Sequence, residues 1–242
     1  MKTTDIISNS INRFANGYVF TASSFGDEVK SLDAVRKALN RMADAGKIVR
    51  LSKGRFYKPE QSPFGVLPPG PDEVVKDLLE CRGRVTGYLT GLSVYNTLKL
   101  STQVGRVVQI GRNEVRSPLR RGVYRIVFLK QKNRITSENI PLLQLLDCIR
   151  TVKRIPGTPV EDACVRLRAL VVERTEDERR TLVRLAMKYP PSARALLGAL
   201  LGEPVDSGLS VRLMKSLNPL TTFCIPGAGR VLTNAAAWRI RE

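Results

Sequence analysis

The chain contains no histidine. That absence removes the imidazole base of Ser–His–Asp and Cys–His machinery, and it removes imidazole metal ligands. Cysteine is sparse: Cys81, Cys148, Cys164 and Cys224 stand far apart with no CxxC pair. Such spacing reads as reduced structural thiols of a cytoplasmic protein, since a four-cysteine zinc site would need four unrelated segments to converge. No metal and no cofactor are expected. Acidic residues are few, 22 against 40 Lys and Arg, which leaves a net charge of +18 and a pI near 10.3. A balance of that sign points to a polyanionic partner. No apolar run approaches membrane-spanning length and the N-terminus is polar, so neither a membrane partner nor a signal peptide is expected, and the expected location is the cytoplasm.

What remains is core material and unevenly placed positive charge. At 242 residues and 43% hydrophobic content, two domains are the natural expectation. Residues 1–60 carry 11 Lys/Arg against 6 Asp/Glu, residues 61–81 carry 1 against 4, and residues 82–134 carry 12 against 1. The densest positive stretch therefore follows the first sixty residues.

The most informative stretch is Ser31 to Tyr57, SLDAVRKALNRMADAGKIVRLSKGRFY. Ser31 can accept from a free amide of the first helical turn, and Asp33 suits the positive end of the helix dipole. Val35, Ala38, Leu39 and Met42 recur at helical spacing and form one apolar face. Arg36, Lys37, Asn40, Arg41 and Asp44 take the rest of the surface. Gly46 supplies a left-handed stop. Lys47–Leu51 and Arg55–Lys58 can pair about a Ser-Lys-Gly turn, and Pro59 ends the pairing because it has no N–H. Upstream, residues 3–15 read as a helix, 18–20 as an extended piece and 21–25 as a short helix. The order of helix, strand, short helix, long helix and hairpin is that of a winged helix-turn-helix, in which the long helix reads DNA. An ordinary amphipathic helix and hairpin with a solvated basic face remains the plainer alternative.

The segment 59–71, PEQSPFGVLPPGP, holds five prolines and two glycines and reads as an extended linker. A short acidic helix is expected over 72–80, a helix from Thr90 or Gly91, and strands over 104–110 and 122–130. An arginine-rich loop lies between the two strands. From 139 onward the chain turns helical, with segments over 139–155, 159–172, from a Thr175/Glu178 capping box, over 193–201 and near 208–216. The expected fold class is α+β: an N-terminal winged helix-turn-helix over 1–60, a linker over 61–71, and a mixed domain over 72–242 with a small sheet and a helical C-terminal half.

Four stretches, ALNRMADAGKIVRLSKGRFY, GYLTGLSVYNTLKLSTQV, IPLLQLLDCIRTVKRIPGT and KYPPSARALLGALL, together resemble the AbiEi-type antitoxins of bacterial type IV toxin–antitoxin systems. The resemblance runs over roughly residues 5 to 240. It implies a winged helix that binds inverted repeats of double-stranded DNA in its own promoter and represses the operon. It also implies a C-terminal domain that counteracts a nucleotidyltransferase-like toxin without requiring a stable complex, and a place in phage defence. A general winged-helix regulator without a toxin partner is the alternative.

On the winged-helix reading, Arg36, Lys37, Asn40 and Arg41 enter the groove, because Arg can fork onto guanine and Asn onto adenine. Ser31 and the helix N-terminus face a phosphate, and Lys53 and Arg55 at the wing contact backbone or minor groove. Arg41 could instead pair with Asp44. A secondary basic surface of Arg106, Arg112, Arg116, Arg120, Arg121 and Arg125 has three readings: a second nucleic-acid surface, a face for an acidic toxin or its substrate, or a solvated sheet face. Enzymatic activity is not expected. Residues 82–134 offer only Glu114; Asp147, Glu161 and Asp162 are scattered on helices, where solvated or salt-bridged roles suit them, and no phosphate-binding P-loop is present.

Overall fold

A computed structural model describes residues 3–81, 83–204 and 208–242. Arg82 and part of the polar break before the 208–216 segment fall outside the described residues. The fold is α+β, with small sheets and ten α-helices among the described residues. No helix among them is long and apolar enough to cross a membrane.

The compact units do not follow the expected division at 60 and 72. One unit comprises residues 1–78 with 118–126, and the other residues 79–117 with 127–242. The reason is local. Residues 60–67, expected as open linker, form a hairpin pairing Glu60–Ser62 with Gly65–Leu67. The next helix, Pro71–Leu79, buries Val74, Val75 and Leu78. Glu73 of that helix accepts the Val19 N–H at 2.9 Å, and its Lys76 ammonium sits 3.5 Å from the Tyr18 ring centroid. The short strand Leu119–Arg121 joins the same unit through Arg121, whose guanidinium pairs with Asp77 and donates to the Val74 carbonyl at 2.6 Å. The Gly122 N–H reaches the Leu51 carbonyl at 2.9 Å.

The first unit's core joins Ile7 and Ile11 of the Thr3–Arg13 helix to Val35, Ala38, Leu39 and Met42 of the Leu32–Asp44 helix. Phe20, Phe25 and Phe56 fill the space between them, with Phe20 and Phe25 edge to face at 5.8 Å. Burying each such large side chain is worth about 1.5–3 kcal/mol. Three strands run in the order Val19–Thr21, Arg55–Tyr57, Val49–Ser52, all antiparallel. The Leu32–Asp44 helix ends as expected: the Lys47 N–H reaches the Met42 carbonyl, the Gly46 N–H reaches Ala43, and Gly46 takes φ +71°. This is the doubly bonded left-handed stop that glycine favours.

The second unit has its own, larger core. The helices Ile140–Arg150, Val160–Val172, Glu176–Ala186 and Pro191–Leu201 pack around Leu143, Leu146, Leu167 and Leu196, which are fully buried. The sheet side carries Gly87–Thr90 paired antiparallel with Val107–Arg112. The Thr175/Glu178 capping box is formed, with bonds of 3.2 and 2.8 Å. In the C-terminal tail Phe223–Cys224 pairs in parallel with Ile240–Arg241, and Trp238 is fully buried against Gly198.

Candidate nucleic-acid interface

The Leu32–Asp44 helix turns its apolar stripe into the core, which forces Arg36, Lys37, Asn40 and Arg41 outward, and all four are exposed. Ser31 caps this helix, its hydroxyl accepting from the Ala34 N–H at 3.3 Å. Arg36 pairs with Asp33 at 2.7 Å, but both side chains are mostly in water, where such a pair is worth about 0–1 kcal/mol. The Asn40 side-chain oxygen accepts from the Arg50 guanidinium at 2.9 Å, and that guanidinium lies 5.1 Å from the Phe56 ring centroid. Helix and hairpin are thereby joined by a polar clasp that sequence reading did not foresee. Lys37 and Arg41, one turn apart, have no acid partner among the described residues, so the alternative pairing of Arg41 with Asp44 is not formed.

The hairpin turns at Lys53-Gly54, both exposed, with Gly54 at φ +71°. Arg55 is not at the tip. It begins the returning strand and pairs with Asp77 at 2.6 Å. Asp77 thus holds two guanidiniums, those of Arg55 and Arg121. Burial pushes its pKa up, but the hydrogen bonds and charges of Arg121 and Arg55 outweigh burial and leave it below the usual carboxylate value. Arg55 is in this way engaged inside the unit and less available to a ligand than Lys53.

The six arginines of the expected secondary surface do not form one set. Arg106, Arg112 and Arg116 belong to the second unit, and Arg120, Arg121 and Arg125 to the first. Two of them are not surface residues. Arg121 is 4% exposed and spent on Asp77 and Val74, which makes it an internal strut. Arg112 is 8% exposed, and its Nε has no partner among the described residues. Burial lowers the Arg112 pKa, and the charge of Arg116 adds to that. Arg106, Arg116, Arg120 and Arg125 are exposed. Arg120 and Arg125 stand directly opposite each other across the antiparallel pair and line one cavity with Pro118 and Leu119. Like charges in that position repel, and an anion between them removes the penalty.

The largest polar arrangement missed by sequence reading centres on Asp147, which is 3% exposed. Its carboxylate accepts from the hydroxyls of Tyr88 at 2.8 Å, Thr90 at 3.0 Å and Tyr189 at 3.1 Å, and it faces an Arg150 guanidinium nitrogen at 3.2 Å. The Gln131 amide donates to both tyrosine hydroxyls, at 2.8 and 2.9 Å, so each hydroxyl is free to give its proton to Asp147. Burial raises the pKa of Asp147 against the lowering effect of Arg150 and the three hydroxyls. Burial and the Asp147 charge together push both tyrosines well above the usual phenol range. The available signal was the position of Asp147 inside the apolar run Leu145-Leu146-Asp147-Cys148-Ile149, where a solvated carboxylate does not fit.

Among the described residues no group of three His, Cys, Asp or Glu side chains could hold a metal ion. The four cysteines are free; Cys148 and Cys164 are buried, Cys81 and Cys224 exposed.

The fold is similar to that of the crystal structure of RV2827C protein from Mycobacterium tuberculosis, with a TM-score of 0.56 and 15% identity over 92% of this chain and 84% of that one. At that identity the likeness shows the fold alone. None of the curated proteins compared matches the chain. A family model matches residues 6–167, and the chain belongs to that family, described as a family of unknown function (DUF6088).

Proposed function

We propose that the first unit is a winged helix-turn-helix that binds inverted repeats in the promoter of its own operon, and that the chain is the antitoxin of a type IV toxin–antitoxin pair. The observation that carries the DNA-binding half is the outward face of the Leu32–Asp44 helix. Lys37 and Arg41 stand exposed one turn apart without an acid partner among the described residues, and Arg36 is held only by an exposed acid. Asn40 and Arg50, clasped together, present an amide and a guanidinium side by side, the two groups suited to adenine and guanine edges. Lys53 at the hairpin tip and the Arg120/Arg125 pair add phosphate contacts. Arg55 acts behind the hairpin, holding it to Asp77.

The antitoxin half rests on the four resembling stretches, three of which lie in the second unit. That unit's separate core gives the chain a second body beyond what DNA reading needs. Its functional partner on this reading is a nucleotidyltransferase-like toxin.

Gel-shift on the DNA upstream of the chain's own gene tests the first half, and co-expression with the neighbouring gene tests the second. The expected results are a complex that a scrambled duplex does not compete away, and rescue of growth from the neighbour's product. Equal binding to any duplex would sink operator recognition. Binding without rescue would leave a general winged-helix regulator.

A further inference from the structure

A concave site lies wholly within the second unit, and nothing in the DNA-binding reading uses it. A cavity of about 670 Å³ has Leu92, Tyr95, Val107 and Leu129 in its lining. Arg150, Lys153 and Arg154 supply its charge, and no acidic residue lines it among the described residues. Val107 is 42% exposed, an aliphatic side chain left in water beside three cations. A volume of this size falls in the range of small-ligand pockets.

The cationic wall is organised to different degrees. Arg150 is fixed from behind by Asp147 and lies 5.7 Å from the centroid of the Tyr189 ring. It also lines an adjoining cavity of about 270 Å³ together with Lys130, Lys132 and Lys188. Lys153 donates to the Cys224 carbonyl at 3.1 Å, and the Arg154 side chain has no partner among the described residues. The half-buried Gln109 amide, also in the lining, makes no hydrogen bond among the described residues. It rests against Gly91, where a Cβ would collide with it. An unpaired amide has one donor and one acceptor side to offer, which matches a heterocycle edge.

We propose that this cleft binds a nucleoside polyphosphate group, either free or at the 5′ end of a nucleic-acid chain. The base lies against Leu92, Val107 and Leu129 with the Gln109 amide on its edge. The phosphates meet Arg150, Lys153 and Arg154, and the lysines beyond Arg150 extend the positive field along the phosphate chain. A bare polyphosphate leaves the apolar wall unused, and a bare nucleoside leaves the cations unused.

Isothermal titration of the full chain at about 0.15 M salt, where long-range attraction is damped, tests this. The probes are the four ribonucleoside triphosphates, inorganic triphosphate, the matching nucleosides, and a short oligonucleotide with a 5′-triphosphate or a 5′-hydroxyl. The expected result is saturable one-to-one binding of at least one triphosphate-bearing nucleotide, with inorganic triphosphate and nucleoside weaker by about tenfold or more. Saturation by the free nucleotide assigns the free source, and binding confined to the 5′-triphosphate oligonucleotide assigns the chain end. Lys153→Ala/Arg154→Ala, exposed positions outside the core, should weaken binding by about tenfold or more. Val107→Glu should do the same by placing a negative charge on the apolar wall. Arg212→Ala/Lys215→Ala removes equal charge from exposed positions of the second unit that line neither cavity, and should change affinity by less than about twofold. Equal losses from the two double variants would reduce the effect to net charge and overturn the proposal. So would inorganic triphosphate binding as tightly as the nucleotide, a 5′-hydroxyl oligonucleotide matching its triphosphate, or no saturable binding at millimolar ligand.

Discussion

Replacing Asp147 by alanine is the substitution whose cost the structure prescribes most closely. The change leaves the Tyr88 and Thr90 hydroxyls without the carboxylate they donate to, while Tyr189 retains the Leu143 carbonyl at 3.3 Å. Each stranded buried donor costs about 1–3 kcal/mol. Arg150 is half-buried and can turn toward water, and removal of the buried carboxylate itself returns part of the loss. The net expectation is about 3 kcal/mol, or a fall of about 6–12 °C in Tm for a body of this size. Differential scanning calorimetry of the full chain reads it in the transition of the second unit. The pH dependence gives a second reading. A carboxyl whose pKa is raised on folding binds more protons folded than unfolded, so its contribution to stability falls as pH rises from about 4 through the raised value. Asp147→Asn lacks that titration, so its deficit relative to wild type should shrink across that window. An alanine variant melting within about 1 °C of wild type, against the size expected for this unit, or an asparagine deficit that grows with pH, would refute the reasoning.

Asp77 works with the opposite sign. Its pKa is lowered on folding, so its contribution is present above about pH 4 and is lost as pH falls through the lowered value. Asp77→Asn should flatten the acid limb of the first unit's stability curve, measured by urea midpoints between pH 3 and 6. Gly198→Ala would drive a methyl into the ring of the fully buried Trp238, an overpacking expected to cost about 1–3 kcal/mol in urea unfolding. Thiol chemistry separates the cysteines. Burial pushes Cys164 up to about 11 and Cys148 higher still, so a maleimide should label Cys81 and Cys224 rapidly in the native chain, and Cys148 and Cys164 only on unfolding.

The elements of the first fifty-seven residues were legible because their signals are local. The i, i+3, i+4 spacing of Val35, Ala38, Leu39 and Met42, the Ser31 cap and the Gly46 stop each act within a turn of helix. The hairpin over 60–67 was misread as linker because proline content reports missing donors, and here the prolines fall outside the two three-residue strands. The unit boundary was illegible because it depends on Arg121 and Gly122 returning to Asp77 and Leu51 from more than forty residues away. The same holds for the arginine-rich stretch. Charge density marks a basic surface only if every arginine is solvated, and the folding of 118–126 onto the first unit spends Arg121 internally. The Asp147 arrangement joins six side chains from Tyr88 to Tyr189, and only the placement of an acid in an apolar run hinted at it.

The central claim is that the exposed cations of the Leu32–Asp44 helix bind DNA. Its most direct measurement is the salt dependence of affinity for the upstream duplex, compared between the full chain and Lys37→Ala/Arg41→Ala. Each phosphate-neutralising residue contributes about 0.9 to the slope of log K against log salt. The account predicts weaker binding and a slope shallower by about 1–2 if one or both residues meet phosphates, with the fold unchanged by circular dichroism. Unchanged affinity and slope in a folded double variant would contradict it.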